Sequence, residues 1–221
     1  MSENFGRTRG DVVAFPHDMA AKQALETYLD DLPEDPRIVS RPLAGNGLDF
    51  SGADLSGLNL AAAYLDEAIL DQVRLRNANL GGASLIAAHM RGADLSGAYL
   101  RKAQGRACDA RNALLIGAYL QKIEFEDADL RNADLRRADL ARAWLAGTDL
   151  RGADLRACDF GGPTSSAALL EVRMADSRLD GATGHVSGPV DVGTTSPQLI
   201  NGDELKRWFA DHGAPEVEVH N

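Results

Sequence analysis

Aspartates recur along the middle of the chain at intervals that are multiples of five: Asp49, Asp54, Asp94, Asp109, Asp129, Asp134, Asp139, Asp149 and Asp154. Carboxylates held in close pairs serve as general acids and bases, and with His or Cys they bind metals. The five histidines, His17, His89, His185, His212 and His220, show no paired spacing of the kind zinc needs. Cys108 and Cys158 stand fifty residues apart, which gives neither a disulfide framework nor metal-ligand spacing. No nucleophile with its base, no phosphate loop and no metal cluster rises above the background. Most of these aspartates sit between an Ala and a Leu, where a repeat would need a short polar residue facing out. The expectation is a protein that is not an enzyme, with no catalytic residue, no metal and no cofactor.

The elements that position these residues follow from a period of five. From Phe50 to Phe160 in steps of five, 17 of 23 positions are Leu and four are Phe or Met, with Gly105 and Ala110 as the exceptions. Two residues before each, from Leu48 to Cys158, 16 of 23 are Ala. Five matches neither the 3.6-residue period of a helix nor the two-residue period of a long strand. Apolar residues two apart fit a short extended piece that sends both to one side, and the small or polar pair that follows suits a bend. Extension, bend and repetition wind the chain into a solenoid with Leu and Ala inside. Cys108 and Cys158 fall at the Ala position and read as small core side chains, too far apart to bridge.

The run Ala53-Asp54-Leu55, Ala78-Asn79-Leu80, Ala93-Asp94-Leu95 and Ala128-Asp129-Leu130 through Ala153-Asp154-Leu155 closely resembles the pentapeptide-repeat family. The resemblance implies an all-β solenoid, a right-handed quadrilateral β-helix with four pentapeptides per coil. Short N- and C-terminal helical caps are expected, because the open ends of such a helix expose unpaired backbone. Residues 1–47 are read as an N-terminal capping segment, with a helix from Asp18 to Leu32 stopped by Pro33 and Pro36, then Ile38 to Leu43 leading into the first coil. Residues 48–182 form the repeat, interrupted near 161–166. Residues 183–221 are read as a loop, from Gly181 to Pro197 by composition, followed by a helix from Asp203 to His212 that ends at Gly213. Its stripe of Leu205, Trp208 and Phe209 covers the last coil or meets another subunit, making a homodimer, and the two roles can coexist.

With twenty residues per coil, outward side chains stack in columns. Two faces carry opposed charges, Asp49, Asp109, Asp129 and Asp149 beside Arg91, Arg111, Arg131 and Arg151, then Asp54, Asp94, Asp134 and Asp154 beside Arg76, Arg136 and Arg156. Mutual neutralisation is expected there. The other two faces differ: one stacks Asn59, Asn79, Tyr99, Tyr119 and Asp139, and the other has Tyr64, Glu124 and Trp144 with Asp66, Glu67, Glu126 and Asp127 at its corners. Tyr64, Asp66, Glu67, Tyr99, Tyr119, Glu124, Glu126, Asp127, Asp139 and Trp144 are the candidate partner-binding residues. A bulge at Gly105 or Ala110 would rotate every column beyond it.

The net charge of -10 argues against a protein whose own affinity rests on neutralising phosphates, so no direct nucleic-acid binding is expected. No membrane span or signal peptide is evident, and a cytoplasmic location is expected. The family branch that confers resistance to quinolones and other gyrase poisons implies a rod that mimics DNA and engages DNA gyrase or topoisomerase IV. Residues 48–161 nevertheless hold 16 Asp and Glu against 14 Lys and Arg, so the rod is nearly neutral. A protein-binding solenoid that modulates a type II topoisomerase is the first expectation, and an interaction scaffold unrelated to topoisomerase the alternative.

Overall fold

The structure, a computed structural model, describes residues 5–33 and 41–220. Each pentapeptide bends through a four-residue turn, as where the Ala53 amide donates to the Phe50 carbonyl at 3.0 Å. The third turn position has positive φ, between 53° and 62° even at sixteen non-glycine residues, the signature of a type II turn. The outward residue of each unit pairs in parallel with the residue one coil on: Asp54 with Arg74, Asn59 with Asn79, Tyr64 with Ser84, Ile69 with His89. Four such pairs close each coil, so the chain is a parallel β-helix with a twenty-residue turn.

The register runs unbroken through the two exceptions in the Leu column, with Gln104 pairing Glu124 and Asp109 pairing Asp129. No bulge forms at Gly105 or Ala110, so the columns beyond them are not rotated. Beyond Asp159 the step lengthens, and Trp144 pairs Ala168, Asp149 pairs Arg173, Asp154 pairs Arg178 and Asp159 pairs Thr183. Four extra residues are accommodated around Gly161 to Ser166, where the Gly162 amide donates to the Ser165 hydroxyl at 2.7 Å.

Both ends are closed. At the start, the Gly6 amide donates to the Gly57 carbonyl and the Ala14 amide to the Asp54 carbonyl, so the N-terminal stretch pairs with the first coil. Helix α1, Met19–Asp30, begins at Asp18, whose side chain accepts from the Ala21 amide at 2.8 Å, and it buries Ala21, Leu25, Tyr28 and Leu29. The Tyr28 hydroxyl donates to the Asn59 carbonyl at 2.8 Å. The expected stop at Pro36 and the lead-in from Ile38 lie outside the described residues.

At the far end the expected loop from Gly181 to Pro197 is instead partly strand. Strands β1 (Ala167–Ala168), β2 (Val172–Arg173), β3 (Thr183–Ser187), β4 (Val190–Asp191), β5 (Leu199–Ile200) and β6 (Glu216–His220) form two small sheets, ordered β1-β3-β6 and β2-β4-β5. The coil below supplies the ladder partners that composition does not reveal. Helix α2, Gly202–Asp211, ends before Gly213, which has φ +81°.

Candidate functional site

The aspartates that suggested acid–base chemistry act on the backbone. Asp49 accepts from the Ser51 amide at 2.8 Å, Asp139 from the Ala141 amide at 3.0 Å, and Asp129, Asp134, Asp149 and Asp154 each accept from the amide two residues on at 3.2 Å. An Asx turn at the head of each bend is why the outward position favours Asp or Asn. On the first face (Asp49, Ile69, His89 and onward) and the second (Asp54, Arg74, Asp94 and onward), arginines clamp the same carboxylates. Arg111 grips Asp109 with two bonds of 2.9 and 2.8 Å while Arg91 donates at 2.7 Å, and Arg136, Arg151 and Arg156 clamp Asp134, Asp149 and Asp154 in the same way. The Arg111 bond holds the Asp109 carboxyl well below the usual carboxylate range, against an opposing effect of burial.

Cys108 and Cys158 are free and buried, and burial pushes the Cys108 thiol up to about 12. Neither is poised as a nucleophile. Among the described residues no group of three or more His, Cys, Asp or Glu side chains could hold a metal ion. The histidines are less scattered than their sequence positions suggest: Nδ1 of His185 lies 2.8 Å from Nε2 of His220, with the rings stacked, because β6 returns beside β3.

The third face (Asn59, Asn79, Tyr99, Tyr119, Asp139, Asp159) carries an aromatic stack. The rings of Tyr99 and Tyr119 are parallel at 4.4 Å, and Phe5 meets Tyr99 edge-on at 5.4 Å. Tyr119 remains 40% exposed. The fourth face (Tyr64, Ser84, Gln104, Glu124, Trp144) exposes Tyr64 and Trp144 at 51% and 45%. Tyr64 and Trp144 are separated by four coil steps, about 19 Å at the usual strand spacing, so they do not form one patch. Glu124 and Trp144 are ladder neighbours one coil apart, and Tyr119 stands on the adjacent third face.

The candidate carboxylates divide in two. Asp66 accepts from the Ile86 amide and the Ser84 hydroxyl, Asp139 from the Gln121 side chain, and Glu126 pairs with Arg106 at 3.2 Å. Glu67, Glu124 and Asp127 make no ion pair among the described residues and face solvent. Column reading missed the cations of the third-to-fourth corner, Arg101, Lys102, Lys122 and Arg142. These are turn positions, and writing the turns as well as the outward sites in steps of twenty reveals them.

The stripe on α2 is turned inward. Leu205 and Phe209 are fully buried, and the Phe209 ring meets Phe160 at 6.2 Å, so neither offers surface to a second subunit. Trp208 is half-buried against Phe209 and His212. Leu205 and Phe209 thus cap the last coil, which the apolar end of the β-helix requires, while Trp208 keeps part of its surface exposed.

No helix among the described residues is long and apolar enough to cross a membrane. The sequence matches the family model for pentapeptide repeats in eight copies, over residues 46–82, 68–104, 78–121, 108–143 and 133–162. No curated protein matches the chain. Among solved structures, a pentapeptide repeat protein of the cyanobacterium Cyanothece 51142 is 27% identical, with a TM-score of 0.40 over 42% of this chain and 62% of its own. HetL, involved in heterocyst differentiation regulation in Nostoc sp., is 22% identical, with a TM-score of 0.34 over 64% of this chain and 74% of its own. A trypsin-treated form of QnrB1, a plasmid-mediated fluoroquinolone resistance protein, is 17% identical, with a TM-score of 0.48 over 76% of this chain and 90% of its own.

Proposed function

The chain belongs to the pentapeptide-repeat family, and from that premise we propose that it works without catalysis, as a rigid rod that binds another protein through its third and fourth faces. The observation that carries this reading is the exposure of Tyr119 and Trp144 on adjacent faces, while the carboxylates of the first and second faces are occupied by their own arginines. Exposed aromatics on a rigid frame give contact area at little entropic cost, which is how interface anchors work. Placing a photo-crosslinking phenylalanine analogue at Tyr119, Trp144, Ile69 or Leu114 tests it. Crosslinks to a partner from positions 119 and 144 alone support the reading, and equal crosslinking from 69 and 114 on the other two faces refutes it.

The narrower reading makes the partner DNA gyrase or topoisomerase IV and the effect protection from a poison such as a fluoroquinolone. It draws on the family's resistance branch and on three carboxylates without an ion pair among the described residues, Glu124 on the fourth face and Glu67 and Asp127 at its corner with the first. Imitating duplex DNA takes about one negative charge per 1.7 Å of axis. The clamped aspartates of the first two faces do not supply that, so such a complex would rest on Tyr119, Trp144 and the carboxylates of the fourth face. A supercoiling assay with purified gyrase, with and without fluoroquinolone, decides: neither inhibition nor protection at micromolar protein removes topoisomerase and leaves the general scaffold.

A further inference from the structure

The rod pairs its cations unevenly. Of the 14 Lys and Arg between residues 48 and 161, nine stand in ion pairs with carboxylates of neighbouring turns. The remaining five are Arg101, Lys102, Lys122, Arg137 and Arg142, and none lies within salt-bridge distance of a carboxylate among the described residues. Four of the five share one corner, between the third and fourth faces. Where the first-to-second and second-to-third corners set an arginine beside an aspartate, this corner sets the neutral Gln121 beside Asp139. Arg142 donates to the Thr164 carbonyl at 3.1 Å, an anchor that leaves its charge unneutralised.

Arg101, Lys122 and Arg142 line a shallow groove of about 360 Å³ together with Gln121, Ala141 and Ser165, and Lys102 is the turn residue next to Arg101. From Arg101 to Arg142 the stripe crosses two coil steps, about 10 Å, the length of roughly three extended residues. Tyr119 stands on one side of it and Trp144 on the other. Uncompensated like charges spaced one coil apart repel, so the arrangement is at its most favourable with an anion along it.

We propose that this corner docks a short acidic segment of the partner protein, an extended run of Asp and Glu whose carboxylates meet Arg101, Lys102, Lys122 and Arg142. The inference rests on the protein-binding reading above and names the chemistry of the partner. A peptide suits the site better than nucleic acid does. Glu67, Glu124 and Asp127 flank the fourth face, and a long phosphate backbone laid on the corner would come within about one Debye length of them. A short peptide stays on the cationic stripe.

The test is fluorescence anisotropy of the full chain with a fluorescein-labelled peptide of alternating Glu and Ser, at low and at physiological salt. The expected result is binding that weakens with salt, that falls about tenfold in Lys122→Glu/Arg142→Glu, and that is unchanged in Arg137→Glu, a free cation on another corner. Thermal melts confirm that both variants fold. Equal loss in the two variants, or no peptide binding at low salt, overturns the inference. Tighter binding of a single-stranded oligonucleotide of equal length overturns it in favour of nucleic acid, and a doubled mass by light scattering that Lys122→Glu/Arg142→Glu abolishes overturns it in favour of a second copy. If crosslinking at Tyr119 and Trp144 persists while the peptide fails to bind, only the acidic-segment inference falls. If the crosslinks are absent too, the protein-binding reading falls with it.

Discussion

A Cβ on Gly105 would lie 2.6 Å from the ring of Phe125, one coil further along the same core column. The missing side chain and the oversized one are two halves of a single packing solution, which is why the register survives a gap in the Leu column. Gly105→Leu alone is expected to overpack the column and cost about 1–3 kcal/mol. Phe125→Leu alone leaves a void beside Gly105 and is also destabilising. The double variant should recover most of both losses, and chemical denaturation of the four proteins measures the coupling. Simply additive losses would show that the two positions are independent.

Gly161 opens the four-residue expansion of the coil at φ +88°, and a Cβ there would stand 2.1 Å from the Ser165 carbonyl oxygen and 3.0 Å from Ala141. Backbone atoms cannot give way as a flexible side chain can. Gly161→Ala is expected to cost about 2–3 kcal/mol from strain and clash together. Gly82, with φ +66° and open space around its would-be Cβ, is the control, and Gly82→Ala should cost only about 1 kcal/mol. Equal losses in thermal melts would place the whole effect in the dihedral angle.

The repeat was legible because a core with a five-residue period leaves few alternatives: once Leu55 is inside, the sides taken by Asp54 and Tyr64 follow, while the step of twenty that stacks their columns is what the family resemblance implies and the ladder bears out. The C-terminal strands were not legible. Gly184 and Gly188 read as loop residues, yet Gly184 sits inside β3 at φ +108°, where a Cβ would come within 2.8 Å of the backbone of Phe160 and Gly161. Close approach of two chains, rather than looseness, selects glycine there. The contact of His185 with His220 depends on that same return of β6 and has no local signature. The burial of Leu205 and Phe209 was half legible, since an amphipathic stripe announces a partner surface without saying whether it belongs to the same chain.

Clamped carboxylates make the rod sensitive to acid. Arg111 holds Asp109 below its ordinary value, with Arg91 adding to the effect, and Arg156 does the same for Asp154, in each case against the opposing effect of burial. A carboxyl whose folded pKa lies below its unfolded value, about 3.9, adds stability that is fully present above that value and is lost as pH falls towards the folded pKa. The melting temperature should therefore change little from these groups between about pH 7 and 5 and drop below about pH 4. Arg111→Ala should shallow that acid-side drop while costing no more than about 1 kcal/mol at neutral pH, because the pair is partly solvated. An unchanged acid limb in the variant would remove the ladder from the account.

The far end of the rod depends on α2 as a lid. Phe209 has no exposed surface and meets Phe160 edge-on at 6.2 Å, so its ring closes the apolar column that would otherwise end in water. Phe209→Ala is expected to cost about 3–5 kcal/mol, the loss typical of a buried aromatic. Trp208 is only half-buried, and Trp208→Glu should lower stability by a smaller amount and leave the mass in light scattering unchanged, because the stripe already has its partner in the last coil. A mass that halves in Trp208→Glu would mean that the same helix also holds two chains together. A Phe209→Ala variant as stable as the parent would mean that the coil end needs no lid.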